Sequence, residues 1–241
     1  FTYFSEKTGL EIATLSHHVE EKIYPSPFHY TDQVKLFVYN HSMDVKDPAY
    51  MGEISKQIDA ISVALDRRML VLCTSYKQTT ALRQILAPDI KKDNRRLIVQ
   101  KPGISRNLLV RQYLEHPHSI LIGTSSFWEG VDFPGDKVEI LCIIKTPFDN
   151  PFDPLIQSQI EDYTQHGENA FLQYQVPEAA LKLRQGFGRL IRNMTDTGIC
   201  ILMDTRLCRR QYGKTILGSL PVEAVPYQHV GKLISDSQKF F

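Results

Sequence analysis

The chain reads as an α/β protein, a mostly parallel β-sheet with helices on both faces. Three observations predict this. From residue 69 onward, short aliphatic or β-branched runs alternate with helix-length amphipathic stretches, the order that parallel strands joined by crossover helices produce. The run VEILCII (138–144) is almost wholly apolar, as a strand covered on both faces must be. Two strand-like runs also deliver the chain into small hydroxylated residues, TS at 74–75 and GTSS at 123–126, where open α/β sheets gather their ligands.

Taken in order, residues 34–39 form a strand-like run after a proline-rich turn at 25–27, and residues 49–65 a helix. The first clear strand is 69–73; Thr74 and Ser75 then lead into a helix through Leu86, stopped by Pro88. A second strand at 97–100 and a helix capped by Ser105 and running to about Leu114 bring the chain to a strand at 119–122. The apolar strand 138–144 ends at Pro147; residues 148–176 are read as a loop with a helix near 155–165. Pro177 suits the first turn of a helix, where its missing N–H is not needed, and that helix is expected to reach Arg192. A strand at 198–203 and a helix at 206–217 follow. The organisation expected is residues 1–60 as a linking segment plus the start of a domain that occupies 61–241.

Composition narrows the function classes. With 42% hydrophobic and 23% charged residues the chain is an ordinary globular protein, and its net charge of +1 supplies no global field for a polyanion. Any nucleic-acid contact must therefore come from a local patch. The four cysteines, Cys73, Cys142, Cys200 and Cys208, have neither C-x-x-C pairing nor metal-ligand spacing and read as reduced, core or near-core thiols. No metal site is expected. There is no apolar stretch of membrane length and no signal-peptide pattern, so no membrane partner and a cytoplasmic location are expected. The opening FTYF, without an initiator methionine, reads as the interior of a longer polypeptide.

Two motifs carry the chemistry. In QGFGRLIR (185–192), Gln185, Arg189 and Arg192 lie on one helical face by their i, i+4 and i+3 spacing, beside glycines that permit close backbone approach. Arginine forks match phosphate oxygens and stay charged, which suits a transferring γ-phosphoryl group. The bland alternative is a solvated cationic helix face. In GTSSFWEGVDFPG (123–135), Thr124 and Ser125 offer hydroxyls and N–H groups at a strand's carboxyl end, and Asp132 could accept from a ribose hydroxyl. Trp128, the single tryptophan, either packs under the loop or stacks on a base, packing being the better-supported reading. Thr74 and Ser75 occupy the equivalent place after the first strand, where a simple helix cap is the alternative. The GKT at 213–215 resembles the tail of a phosphate loop but lacks the first glycine and is a decoy.

On these residues the chain resembles the second motor domain of the DinG/XPD-type DNA helicases, and most closely the bacterial DinG branch. TSY (74–76) resembles the family's motif IV, FWEGVDFPG (127–135) motif V, and QGFGRLIR with DTR (204–206) motif VI and its sequel. KTPFDNPFDP (145–154) and SPF (26–28) are family-like too. The resemblance implies a RecA-like domain that shares ATP and Mg²⁺ with a first RecA-like domain of the same polypeptide and lies along single-stranded DNA. That first domain would carry the phosphate-loop lysine, the Asp-Glu-Ala-His box and any iron–sulfur cysteines; none of these motifs occurs here, so the chain by itself is expected to be inactive. Carried over, the resemblance makes Arg192 the arginine finger, sets Arg189 on the γ-phosphate and Gln185 on the attacking water. Glu129, Gly130 and Asp132 would couple nucleotide to DNA, and Thr74, Ser75, Thr124 and Ser125 would grip the DNA backbone. The activity implied is an ATP-dependent 5′–3′ DNA helicase; the alternative is a motor-like domain regulating a DinG-type 3′–5′ exonuclease.

Overall fold

The computed structural model describes residues 3, 5, 8, 9, 20, 22, 24–90, 95–128 and 138–241, with the backbone alone for Ser125 and Ser126. Among these residues seven strands form one sheet in the order β3-β4-β2-β5-β6-β1-β7. They are β1 (Val34–Tyr39), β2 (Met69–Leu72), β3 (Arg96–Val99), β4 (Ser119–Gly123), β5 (Ile140–Ile143), β6 (Gly198–Leu202) and β7 (Ala224–Tyr227). Every pairing is parallel, so all seven strands end on one rim. The expected α/β class is the observed one.

The centre of the sheet is buried on both faces because its strands are nearly all apolar; β2, β4, β5 and β6 are buried throughout. The strand's period of two sorts these residues into two cores. Leu70, Leu72, Leu141, Ile143 and Leu202 face α3 (Arg106–Leu114), α5 (Val176–Phe187) and α6 (Gln211–Gly218). Met69, Val71, Ile140, Cys142 and Ile201 face α1 (Tyr50–Leu65), α2 (Tyr76–Ile90) and α7 (Val230–Phe240). The remaining long helix, α4 (Pro154–Gln165), buries no residue; Asp153 caps it by accepting from the Leu155 N–H at 3.0 Å. Cys73, Cys142 and Cys200 are buried thiols whose pKa values burial raises, and Cys208 is half-buried.

Several elements differ from expectation for identifiable reasons. α2 continues through Pro88 to Ile90, because Thr79, Leu82, Leu86 and Ile90 make one buried stripe and Pro88 lies close enough to the end to cost little of the ladder. A π-helical turn, Phe171–Gln175, leads into α5, which has Pro177 in its first turn. The expected helix 206–217 breaks into the turn Arg206–Arg209 and α6, the extended Arg210 separating them. There Gly213 meets the preceding turn so closely that a Cβ would lie 1.9 Å from the Leu207 carbonyl oxygen, so this glycine serves packing rather than phosphate. β1, within the expected start of the domain, sits between β6 and β7, and residue 61 lies inside α1. β7 and α7 extend the domain beyond the last element expected.

Candidate functional site

Three of the stretches singled out in the sequence meet at Trp128. The short turn Ser125–Trp128 follows β4 and turns the indole inward, where it is 4% exposed. Its Nε1–H donates to the Cys73 carbonyl at the end of β2, at 3.3 Å. Its ring packs so close to α5 that a Cβ at Gly186 would lie 2.7 Å from Cε3. Its own carbonyl accepts from Arg189 Nε at 3.2 Å and Nη2 at 2.8 Å. Packing, not an exposed stacking platform, is therefore the role of this indole.

The expected shared helical face of Gln185, Arg189 and Arg192 does not exist, because α5 ends at Phe187. Gly186 and Gly188 weaken the helix. The next N–H groups close i→i+3 bonds, Arg189 to Gly186 at 3.1 Å and Leu190 to Phe187 at 3.0 Å, and Leu190 and Ile191 are both buried. Asp196 then takes the N–H groups of Arg192 and Asn193, each at 2.8 Å. Gln33, just ahead of β1, donates through Nε2 to the carbonyls of Asn193, Met194 and Asp196 at 2.9–3.1 Å. Gln185 is thus exposed on the last turn of α5, Arg189 lies on Trp128, and Arg192 stands in a pinned loop before β6. Burial lowers the pKa of the Arg192 guanidinium, an effect Asp196 opposes.

The two strand-end threonines are each held by a glutamine that the sequence reading passed over. Thr74 N–H and Oγ1 are 2.9 and 3.2 Å from Gln78 Oε1; Thr124 N–H and Oγ1 are 2.7 and 3.0 Å from Gln100 Oε1. Thr74 and Ser75 are exposed, whereas Thr124 is 4% exposed, so a ligand at Thr124 has to displace Gln100. The i+4 spacing of Gln78 was a readable signal; Gln100, just past the end of β3, carried none. Glu129, Gly130 and Asp132 lie outside the described residues.

A second cluster closes the rim at β5, β6 and β1. Asp204, 1% exposed, accepts from the Thr146 N–H at 2.8 Å and from Arg206 Nε at 2.9 Å and Nη2 at 2.7 Å. Tyr50 Oη lies 2.9 Å from the carbonyls of both Ile144 and Met203, strapping β5 to β6. Burial alone would raise the Asp204 pKa, but Arg206 and the Thr146 N–H outweigh it and hold the carboxyl below its ordinary value. The resulting stabilisation is full above the unfolded carboxylate value of about 3.9 and is lost as pH falls through the lower folded value. Asp204→Asn is expected to destabilise the fold by about 3 kcal/mol at neutral pH and to flatten the acid limb of stability, read by denaturant unfolding across pH. Lys145 completes this cluster: its Nζ donates to the Val45 carbonyl at 2.8 Å, and burial and then Arg206 lower its pKa. Among the described residues no group of three or more His, Cys, Asp or Glu could hold a metal, and no helix is long and apolar enough to cross a membrane.

The family described as "Helicase C-terminal domain" matches residues 58–223. The chain is 37% identical over 221 residues to the ATP-dependent DNA helicase YoaA of Haemophilus influenzae, covering 92% of this chain and 33% of that protein. It is 32% identical over 204 residues to the 3′-5′ exonuclease DinG of Bacillus subtilis, covering 83% of this chain and 22% of that one. The chain thus spans a third or less of the length of these relatives. Among solved structures, an XPD helicase superposes with a TM-score of 0.57 at 15% identity over 81% of this chain and 36% of that one. The C-terminal domain of a DEAD-box protein does so with a TM-score of 0.52 at 11% identity, over 86% of this chain and 98% of that one. Both likenesses are of fold.

Proposed function

The chain belongs to the helicase C-terminal domain family, alongside its DinG- and YoaA-type relatives, and from that premise we propose that it is the second RecA-like motor domain of an ATP-dependent DNA helicase. Residues 61–241, with β1 and α1 built onto them, form that motor, and the opening residues carry the link from the first. The observation that carries the reading is the Trp128 junction, which ties the strand end at Cys73, the turn after β4 and the arginine turn after α5 together by hydrogen bonds and close packing. A motor must pass a change at nucleotide phosphate to a change at DNA, and coupling of that kind travels through packed, hydrogen-bonded elements.

In this reading ATP and Mg²⁺ are held mainly by a first RecA-like domain, and this chain closes on them. Arg192 is the arginine finger: its loop is fixed by Asp196 and Gln33, so a charge placed there costs little reorganisation when the γ-phosphoryl leaves. Arg189 meets the γ-phosphate and Gln185 orients the water. Thr74, Ser75, Thr124 and Ser125 take the phosphates of single-stranded DNA, backbone contacts that hold any sequence. Glu129, Gly130 and Asp132 link the two sites. The direction is 5′–3′ and the location cytoplasmic.

ATP hydrolysis by this chain alone and by the complete polypeptide, each with and without single-stranded DNA, tests the proposal. The chain alone is expected to be silent and the complete protein to be stimulated by DNA. The name of the B. subtilis relative favours one second reading, a motor-like domain that regulates a 3′–5′ exonuclease. It takes over if the complete protein degrades DNA and hydrolyses no ATP.

A further inference from the structure

The sheet has two edges, and they are finished differently. At β7 the edge carries Pro226, exposed and without an N–H to offer, a usual way of closing an edge to further pairing. At β3 there is no such block. Among the described residues β3 pairs with β4 alone. The N–H groups of Arg96 and Gln100 donate into β4, to the carbonyls of His118 at 3.3 Å and Ile122 at 2.9 Å. By the period of the strand, the N–H and C=O groups of Leu97 and Val99 point the other way, off the sheet.

Off that edge lies an open groove of about 460 Å³ between α2 and α3. Leu97, Val99 and Ile104 give it aliphatic walls, Ile104 being 38% exposed. Among the described residues its charges are all of one sign: Arg83, Arg96 and Lys101 line it, with Arg95 turned away onto Asp59 at 2.8 Å, and none of the described lining residues is Asp or Glu.

We propose that the β3 edge is a docking site for an extended, acidic segment of a partner protein, which adds as an eighth strand beside Leu97–Val99 and sets its carboxylates against Arg83, Arg96 and Lys101. The outward backbone groups repeat with the spacing of a strand, a pattern that another peptide backbone matches and a phosphodiester backbone does not. Among the described residues the groove also has no aromatic lining residue on which a base could stack. Main-chain pairing supplies the affinity, and the one-sign rim selects an acidic segment over a basic one. The inference rests on the sheet edge and its charges, so it stands independently of ATP hydrolysis.

The test uses this chain and a fluorescein-labelled nonapeptide of alternating glutamate and valine, followed by anisotropy. Saturable binding is expected, weakened at least about tenfold by Arg96→Glu and by Val99→Pro. Val99→Pro removes an outward N–H while leaving the β4 ladder intact; should it unfold by circular dichroism, Lys101→Glu takes its place. The same peptide N-methylated at alternate residues, and a lysine–valine counterpart, are expected not to bind. No binding, binding that survives both Arg96→Glu and N-methylation, or displacement of the peptide by oligothymidylate at this groove would each overturn the proposal, the last by making the edge a nucleic-acid path.

Discussion

Replacing Arg192 by alanine in the complete protein is expected to lower DNA-stimulated ATP hydrolysis by about a thousandfold while leaving single-strand binding within about twofold of the parent. The magnitude follows from what a guanidinium does for a transferring phosphoryl group. Charge spreads over the equatorial oxygens in the transition state, and a preorganised cation there acts where water cannot substitute for it. Sparing of DNA binding follows from placement. Arg192 stands in the loop that enters β6 and is pinned from the β1 side by Gln33, whereas Thr74 and Ser75 are on the exposed end of β2. Lysine at the same position is expected to restore only a small part of the rate, because it lacks the planar fork. Steady-state ATPase assays with saturating oligonucleotide, beside an anisotropy titration of DNA, read both quantities. Unchanged ATPase in Arg192→Ala would remove the finger from this residue.

Most strands were legible because their burial on two faces demands unbroken apolar runs: residues 69–73, 119–122, 138–144 and 198–203 all became strands within a residue or two. What the sequence hid was set by tertiary contacts. Gly186 and Gly188 weaken α5 but do not by themselves place its stop at Phe187; the stop also depends on Asp196 claiming two N–H groups and on Gln33 gripping the loop from far along the chain. Pro88 looked like a terminator and was overridden by the burial of Ile90. β7 has only two strongly buried or half-buried positions, Ala224 and Tyr227, around an exposed Val-Pro pair, so it lacks the apolar run that betrayed the other strands. At the site, the motifs were visible as motifs, but their meeting point was not: a lone tryptophan between Phe127 and Glu129 gives no sign that its carbonyl will receive Arg189.

Truncating that meeting point, Trp128→Ala, is expected to destabilise the domain by about 3–5 kcal/mol, the cost of removing a large buried aromatic and leaving a cavity. For a domain of this size that lowers the melting temperature by roughly 10 °C, measured by calorimetry or circular dichroism. Gly186→Ala should also destabilise, since its new methyl would sit 2.7–2.8 Å from the indole and a ring fixed by the Cys73 carbonyl has little freedom to give way. The two changes remove each other's difficulty. Without the ring, the methyl at position 186 enters vacated space and replaces part of the lost packing, so the double variant is expected to be more stable than the sum of the two losses by about 1 kcal/mol or more. Strict additivity would show that the indole and Gly186 do not pack as described. A further reading separates packing from coupling. Trp128→Phe keeps an aromatic body but loses the Nε1–H bond to Cys73, so in the complete protein it should lower the DNA stimulation of ATP hydrolysis more than the unstimulated rate. Equal loss of both would make Trp128 a packing residue alone, and the link from the β2 end to Arg189 would have to run elsewhere.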